Sequence, residues 1–366
     1  MFLVTNRVIR DGNTIKIFGD TPSPQGPNEL RLVEVVKKET DNDSEWQVKP
    51  VADKLEPAEV KKLARTHYLT IDTGAEWHGS LAVACQLFAQ AKKENKSILF
   101  FVHGYNNDVD DVLTAAEQLE KLYNLIVVPF TWPANGGGVV SGTASYLSDK
   151  ADARASSGAF NRFVEKVHFF HSLLAESNLA DIQNKVNEKY ADRDNPMAAA
   201  ALYSELVDKA CKVKINLLCH SMGNYLLKHS LMTSDNATSN LVFDNINLVA
   251  ADTNNQNHAS WLDTIDVRNR IHVVINEDDA ALKASRVKPG KQQRARLGHY
   301  LKALNSDRAV YIDVSDCDGV GCEHSYYKGE AVEENTSLKA LFNDLFNGNR
   351  VEKRLNYFSA DNYFKL

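Results

Sequence analysis

Residues 213–227 read VKINLLCHSMGNYLL, and this stretch decides the fold of the chain. An apolar run predicts a buried strand, a helix-period pattern follows it, and almost no loop separates the two. A turn this tight lifts the side chain of Ser221 above the edge of the sheet and points the N-terminus of the next helix at it. The usual pattern is Gly-x-Ser-x-Gly, and here Cys219 takes the first glycine position. The stretch therefore predicts a nucleophile elbow, provided that partners for the serine are found elsewhere.

Apolar runs of the same kind recur from residue 97 onward and predict a parallel sheet. They alternate with helix-period patterns, and strands that are apolar throughout are those covered by helices on both faces. The further runs are 98–102, 125–130, 246–251, 271–275 and 309–314. We therefore expect an α/β fold with a mostly parallel central sheet and helices on both of its faces.

The first fifty residues predict antiparallel strands. Short β-prone runs such as 30–36 are separated there by turn residues such as Asp11-Gly12-Asn13. These strands either start the larger sheet or form a small appended module, and the pattern leaves both open. We divide the chain into an N-terminal β-rich segment, an α/β core and a C-terminal tail, over residues 1–95, 96–350 and 351–366.

One connection in the predicted core is much longer than a crossover helix requires. Roughly eighty residues separate Phe130 from Val213, whereas a crossover between parallel strands needs about a dozen or more. Excess chain that leaves the carboxyl end of a strand lies over the ligand crevice of an open parallel sheet. Residues 131–212 are therefore the candidate lid insert and substrate-selecting wall. For its polar middle part, a surface excursion away from the site is the alternative.

The composition and charge of the chain give no support for a nucleic-acid-binding protein. The 366 residues carry a net charge of −6, with both signs mixed along the chain and no basic stripe. Neither a membrane-spanning apolar run nor a secretion-signal profile is present, so a cytoplasmic location without a transmembrane segment is expected. The five cysteines show no metal-site spacing, which fits a reducing compartment. Cys317 and Cys322 are interpreted as free thiols, with a local disulfide as the alternative.

A serine hydroxyl is a weak nucleophile at neutral pH and needs a base, an acid that orients the base, and donors for the oxyanion. In a site of this kind the acid and then the histidine follow the serine along the chain, each after its own strand. His324 lies in the long loop after the last apolar run and is the predicted base, whereas His272 lies inside a buried run and is interpreted as a core residue. The acid is Asp279 or Asp278, with Asp279 favoured, and Asp252 after the preceding strand is a further competitor.

Two backbone N–H groups are predicted to form the oxyanion hole. One belongs to Met222, directly after the nucleophile and at the positive end of the helix. The other lies in the turn after the run at 98–102, where Gly104 permits the unusual backbone angles of such a turn and leaves the Tyr105 amide as the donor. The residues predicted to bind substrate are His103, Gly104, Trp132 and His220.

These motifs together resemble the α/β-hydrolase superfamily and, more narrowly, a poorly characterised, mainly bacterial esterase/lipase-like family within it. The resemblance implies an α/β-hydrolase fold whose N-terminal strands belong to the same domain, and it selects Asp279 as the acid through an Asp-x-Ala-Leu match. Cys219 departs from the pattern at a position where neighbouring families vary. The motifs that carry the resemblance are Thr5-Asn6-Arg7, residues 101–107, Phe130-Thr131-Trp132-Pro133, His220-Ser221-Met222-Gly223, Asp279-Ala280-Ala281-Leu282, Arg296-Leu297-Gly298 and His324-Ser325-Tyr326-Tyr327.

The function expected from these residues is hydrolysis of a carboxylic ester through an acyl-enzyme intermediate. Ser221 attacks the ester, His324 takes and returns the proton, and Asp279 orients the imidazole. No metal or organic cofactor is implied, and the expected partner is a small-molecule or lipid ester, with protein partners left open. The competing class is a catalytically silent protein of the same fold that binds a ligand or a partner, because a fold alone does not give a function.

Overall fold

The computed structural model describes residues 1–39, 44–134, 143–190, 195–209, 213–233, 241–286 and 294–366. The chain forms two compact units, here called the sheet unit and the helical unit. The sheet unit comprises residues 1–50, 97–165 and 214–366, and the helical unit comprises residues 51–96 and 166–213. The helical unit thus takes chain both from the predicted N-terminal segment and from the predicted insert.

An eleven-stranded sheet forms the centre of the sheet unit, in the order β12-β13-β11-β10-β9-β8-β6-β7-β1-β4-β5, and β2 pairs separately with β3. The adjacent strands β7, β6, β8, β9, β10 and β11 pair in parallel, each with the next. Strand β4 pairs antiparallel with both β1 and β5. This confirms the mostly parallel sheet with N-terminal antiparallel strands. The described strands are β1 (Phe2–Thr5), β2 (Arg7–Ile9), β3 (Phe18–Pro22), β4 (Arg31–Glu39), β5 (Ser44–Pro50), β6 (Ile98–Val102), β7 (Ile126–Thr131), β8 (Ile215–His220), β9 (Asn245–Val249), β10 (Arg270–Ile275), β11 (Ala309–Asp313), β12 (Asn356–Phe358) and β13 (Tyr363–Lys365).

Helices connect the strands. Across the described ranges, no helix is both long and apolar enough to cross a membrane. The described α-helices are α1 (Pro57–Thr66), α2 (Gly79–Glu94), α3 (Val109–Tyr123), α4 (Thr143–Ala155), α5 (Ser157–Lys189), α6 (Pro196–Lys209), α7 (Gly223–Thr233), α8 (Ala259–Leu262), α9 (Ala280–Arg286), α10 (Glu330–Glu334) and α11 (Thr336–Phe346).

Helix α3 shows how local sequence sets an element boundary beside the site. Asp108 and Asp111 form a capping box, in which each side chain accepts the backbone N–H of the other residue. The helix ends at Asn124 in the left-handed conformation, which asparagine tolerates better than most residues. Because α3 follows the strand that ends at Val102, its cap limits the turn between them to residues 103–107.

The core of the sheet unit joins the strands to α3 and α11. Leu113 and Leu119 on α3 are fully buried, as are Phe342 and Phe346 on α11. The rings of Phe346 and Tyr123 meet edge to face, with their centres 5.2 Å apart. Each such side chain contributes about 1.5–3 kcal/mol when it is fully buried. The strand ends that carry the candidate site are therefore held by close packing.

The helical unit has a small apolar core of its own. Leu81 and Cys85 on α2 pack with Phe170 and Leu174 on α5. Cys85 is a free thiol, and burial raises its pKa to about 11. It therefore stays protonated at neutral pH and packs as a small apolar side chain.

Candidate active site

Ser221 occupies the tip of the turn between β8 and α7. Its φ of +52° lies in the left-handed region, which costs a residue other than glycine about 1–3 kcal/mol. The turn is held because the Ser221 N–H donates to the Val249 carbonyl at 3.1 Å and the Ser221 carbonyl accepts the Asp252 N–H at 3.2 Å. Gly223 is needed as well, since a β carbon there would lie 2.6 Å from the Val102 carbonyl oxygen. The backbone thus makes the sharp strand–turn–helix connection expected for this stretch.

His324 and Asp279 form a hydrogen-bonded pair beyond the ends of β11 and β10. Nδ1 of His324 lies 2.7 Å from Oδ2 of Asp279. The other carboxylate oxygen accepts the Leu282 N–H at 2.9 Å, so both oxygens of Asp279 have partners. Asp279 is fully buried, whereas Asp278 is exposed to solvent. Of the two acids that spacing left open, Asp279 is the one that contacts the histidine.

A buried asparagine with no predicted role holds the loop of His324. The side-chain amide of Asn276 donates to the carbonyl oxygens of Gly321 and Glu323 at 3.0 and 3.1 Å. Both cysteines of the loop are free thiols. Hydrogen bonds rather than a disulfide therefore fix the loop. In the sequence, the position of Asn276 directly after a strand was the feature from which these hydrogen bonds could have been predicted.

His220 lies between the nucleophile turn and His324. The centres of the two imidazole rings are 4.7 Å apart, and Nε2 of His220 lies 3.1 Å from the His324 carbonyl oxygen. A carbonyl oxygen only accepts hydrogen bonds, so Nε2 of His220 carries the proton. Burial, and then the charge of His324, hold the pKa of His220 well below its ordinary value. A neutral His220, which directly precedes Ser221, therefore holds the His324 backbone through this hydrogen bond.

The loop after β6 approaches the nucleophile at Gly104. A β carbon on Gly104 would lie 2.7 Å from Ser221 Cβ and 3.2 Å from Ser221 Oγ. Gly104 itself is not in the left-handed region, and the turn is made instead by Asn106 with a φ of +59°. This glycine was predicted for its backbone angles, whereas the structure requires it for the close approach to Ser221.

One of the two predicted oxyanion donors belongs to the residue after Ser221, and the other belongs to the residue after Gly104. Met222 is fully buried, and within the described part of the chain its N–H makes no hydrogen bond. Tyr105 is half-buried and directly follows Gly104. One donor is thus next to the nucleophile along the chain, and the other is next to the residue that touches it.

His103 orients the peptide group between Gly104 and Tyr105. Its Nδ1 donates to the Gly104 carbonyl at 2.9 Å, and its Nε2 accepts the Trp132 N–H at 3.2 Å. Burial lowers the pKa of His103 to about 3, so the ring stays neutral in this tautomer. The Trp132 ring stacks on it with a centre-to-centre distance of 5.1 Å. Because a peptide group is planar, fixing the Gly104 carbonyl also fixes the direction of the Tyr105 N–H.

Arg7 is a buried arginine with no role predicted from the sequence. Its guanidinium donates to the carbonyl oxygens of Gly19, Asn107 and Ala134 at 3.0–3.3 Å, and to Thr131 Oγ1 at 3.1 Å. Five N–H donors in one plane allow a single side chain to join these separate segments. Burial lowers the pKa of Arg7 to about 10, which leaves it charged at neutral pH. The loop after β6 is thereby tied to the end of β7.

Asp252, the further competitor for the triad acid, is engaged by other residues. Its Oδ1 lies 2.9 Å from Arg296 Nε in an ion pair that is almost completely buried. The same oxygen accepts the Ser285 hydroxyl at 3.2 Å, and Oδ2 accepts the Tyr146 hydroxyl at 2.7 Å. These contacts give Asp252 and Arg296 a structural role directly behind the nucleophile turn.

Helix α4, at the start of the predicted insert, packs against the site. The Tyr105 hydroxyl donates to Ser145 Oγ at 3.3 Å, and the Asn106 N–H donates to Asp149 at 3.1 Å. Tyr146 on the same helix reaches Asp252. Residues 135–142, which precede α4, are outside the described part of the chain, and a lid formed by the predicted insert stays a prediction.

The structure brings most of the predicted residues to one edge of the sheet. His103 and Trp132 are fully buried there, so they support the loop after β6, and substrate binding by these two side chains stays a prediction. Ser221 and His324 are both described, and no hydrogen bond joins the serine hydroxyl to the imidazole. The predicted residues at this edge are His103, Gly104, Tyr105, Trp132, His220, Ser221, Met222, Asp279 and His324.

A comparison with protein families finds one matching model, described as an alpha/beta hydrolase of unknown function (DUF900). It matches residues 82–172 and 179–332, about two thirds of the chain. The matched ranges include Gly104, Ser221, Asp279 and His324. No curated protein and no solved structure matches the chain significantly.

Proposed function

The chain belongs to the family of alpha/beta hydrolases of unknown function, and from this premise we propose that it is a serine hydrolase that cleaves carboxylic esters. The contact that carries this proposal is the 2.7 Å hydrogen bond between His324 and Asp279. It holds an imidazole beside the turn on which Ser221 adopts a left-handed backbone conformation. A histidine and a buried carboxylate next to a serine at a helix N-terminus are the groups that acyl transfer requires.

In the proposed reaction Ser221 Oγ attacks the ester carbonyl while His324 Nε2 takes the hydroxyl proton. A tetrahedral oxyanion forms, and the imidazolium then gives the proton to the departing alcohol, which leaves Ser221 acylated. Water repeats the two steps with His324 as base and then acid, and the carboxylic acid is released. Each step needs the imidazole within hydrogen-bond reach of the serine, a contact that in such enzymes often tightens only when substrate binds.

Asp279 has two roles in this proposal. By accepting a hydrogen bond from the Nδ1–H group, it leaves Nε2 of His324 as the basic nitrogen that faces the reaction. Its buried charge also stabilises the imidazolium, since Coulomb attraction is stronger where water is excluded. The Leu282 N–H holds the other oxygen, so the carboxylate cannot turn away from the imidazole without losing that hydrogen bond.

The N–H groups of Met222 and Tyr105 are the proposed oxyanion donors. The Met222 N–H lies at the start of α7, where the helix dipole also favours a negative charge. The direction of the Tyr105 N–H depends on His103, which holds the Gly104 carbonyl. We therefore assign His103 and Arg7 to positioning, because both act on the backbone of this loop.

A fluorophosphonate probe tests the nucleophile directly, because it reacts only with an activated serine. We expect labelling of the wild-type protein and of Ser230→Ala, and no labelling of Ser221→Ala. Ser230 is a matched control because it is a buried serine on α7, the helix that follows Ser221, and its hydroxyl donates to the Leu227 carbonyl. Labelling that survives in Ser221→Ala, or that is absent from the wild type, would contradict the proposed nucleophile.

Turnover separates an esterase from a silent binding protein of the same fold. We expect hydrolysis of para-nitrophenyl esters, measured across a series of increasing acyl length, with His324→Ala lowering kcat by orders of magnitude in a folded protein. The acyl length at which kcat/KM peaks would distinguish a short-chain esterase from a lipase-like enzyme. Probe labelling without turnover of any ester in the series would instead favour the binding protein.

A further inference from the structure

Two facing stripes of side chains run along α4 and α7, beside the candidate active site. Tyr146, Lys150 and Arg154 are spaced by four residues and share one side of α4. Tyr225 on α7 lies against this stripe, with its ring centre 4.6 Å from Lys150 Nζ and 5.6 Å from Arg154 Cζ. Arg154 Nε also donates to the Tyr225 hydroxyl. The Tyr225 ring thus makes cation–π contacts with two side chains of α4.

Helix α7 adds further basic side chains to this cluster. His229 lies one turn after Tyr225, with the two ring centres 4.3 Å apart. Burial, and then the charges of Arg154, Lys228 and Lys150, lower the pKa of His229 to about 4. His229 is therefore neutral near pH 7, and Lys150, Arg154 and Lys228 remain as three positive charges in one small region. We call these three residues the basic cluster.

The basic cluster lacks matching negative charge. Across the described residues, none of its three members forms an ion pair with a carboxylate. Asp252 is the carboxylate whose charge acts on Lys150, but it is already bonded to Arg296 and Tyr146. The two acids of α4 face other groups, since Asp149 accepts the Asn106 N–H and the charge of Asp152 acts on Arg7.

The two lysines of the cluster are partly removed from water. Surface lysines usually extend their ammonium groups into solvent, but Lys150 and Lys228 are both half-buried. Burial is the main cause that lowers the pKa of each, and for Lys150 the charge of Arg296 adds to it. A partly desolvated group of like charges is unfavourable unless an anion binds between them.

From this geometry we propose that the basic cluster binds the carboxylate or phosphate group of an anionic ester, the substrate of the proposed hydrolase. The inference rests on the proposed function. Helix α7 begins at Gly223, two residues after Ser221, and at a rise of about 1.5 Å per residue Tyr225 and Lys228 lie about 3 Å and about 7.5 Å further along its axis. An ester whose acidic group is separated from the reacting carbonyl by a short chain spans that interval. Lysine and arginine bind such oxyanions through charge-assisted hydrogen bonds.

The test compares two para-nitrophenyl esters of equal acyl length, one with a neutral chain end and one with a terminal carboxylate. We expect kcat/KM of the wild type to favour the carboxylate-bearing ester by about tenfold or more, the scale of one charge-assisted hydrogen bond. Lys150→Gln and Lys228→Gln should each remove most of this preference. Lys339→Gln is the matched control, because Lys339 is a half-buried lysine on α11 outside the cluster, and it should keep the wild-type ratio.

A second measurement, binding of inorganic phosphate to Ser221→Ala by calorimetry, does not depend on turnover. Phosphate binding that is lost in the added Lys150→Gln substitution, together with ester preference, supports the proposed substrate group. Phosphate binding without ester preference supports the site but assigns it to a separate small anion. Absence of both overturns the inference. In that case hydrolysis of the neutral ester still reports on Ser221, so the two proposals fail separately.

Discussion

Gly104 and Ser221 lie so close together that a β carbon on the glycine would stand 2.7 Å from the β carbon of the serine. Any side chain at position 104 must therefore push apart the loop after β6 and the turn after β8. Those two segments carry the proposed oxyanion donors, at Tyr105 and Met222. Because glycine has no β carbon, the two segments can lie at this short distance.

Gly104→Ala should lower kcat for a neutral ester by about 100-fold or more, because loss of one oxyanion donor has an effect of that size in other serine hydrolases. Steady-state kinetics with para-nitrophenyl butanoate measure it. Gly74→Ala is the matched control, since its β carbon would meet only the Asp72 side chain, at 3.3 Å. If Gly104→Ala kept wild-type kcat, the loop after β6 would have no part in oxyanion binding.

Asp279→Asn should lower kcat by about 10⁴-fold, the scale of the equivalent change in other triads, since an amide there no longer selects the productive tautomer of His324. The neighbouring Asp278→Asn is the control because Asp278 is exposed, and its kcat should be close to that of the wild type. The same kinetic assay compares them, with circular dichroism to confirm folding. A larger loss of kcat in Asp278→Asn than in Asp279→Asn would make Asp278 the acid.

The parallel sheet could be predicted because its central strands are rich in apolar residues. Every residue of β6, β8 and β9 is buried, and such strands need helices on both faces. The two C-terminal strands gave no signal of this kind. β12 and β13 have three residues each and none of them is buried, so periodicity cannot be recognised. Residues 351–366 were therefore predicted to be a tail.

The candidate site could be predicted in part, where chemistry follows chain order. Asp279 and His324 each come after their own strand, and that order was the signal. The supporting contacts had no comparable signal, because they join segments far apart in the chain. Tyr146 and Asp252 are 106 positions apart, and Arg7 and Ala134 are 127 apart. Such pairs become neighbours only through the topology of the sheet.

The buried ion pair behind the nucleophile turn should matter for stability more than an exposed one. Arg296→Met leaves the Asp252 carboxylate buried without its cation, which costs about 3–5 kcal/mol of the free energy of unfolding. Arg308→Met is the control, because the Arg308–Asp266 pair has the same chemistry but is largely exposed, and its loss costs about 1 kcal/mol or less. Urea denaturation measures both. Equal losses of the free energy of unfolding would show that burial does not make the Asp252–Arg296 pair more stabilising than the exposed pair.

Acid should destabilise the fold partly through His272, a buried histidine on β10. Its Nδ1 donates to Asn247 Oδ1 at 3.2 Å, and its Nε2 has no partner among the described residues, so the protonated ring would leave a buried N–H unsatisfied. Burial lowers the pKa of His272 to about 3, whereas the unfolded chain titrates near 6.5. Between these values the unfolded state binds more protons, and the free energy of unfolding therefore falls as the pH falls.

For His272 alone, that loss amounts to about 2 kcal/mol between pH 7 and pH 5. His272→Gln cannot take up the proton, so its free energy of unfolding should fall by about 2 kcal/mol less than that of the wild type over this interval. Urea denaturation at the two pH values measures the difference, whatever the substitution costs at pH 7. His78→Gln removes an exposed histidine and should keep the wild-type pH dependence. If His272→Gln also kept it, the buried imidazole would not be the group that takes up the proton when the chain unfolds.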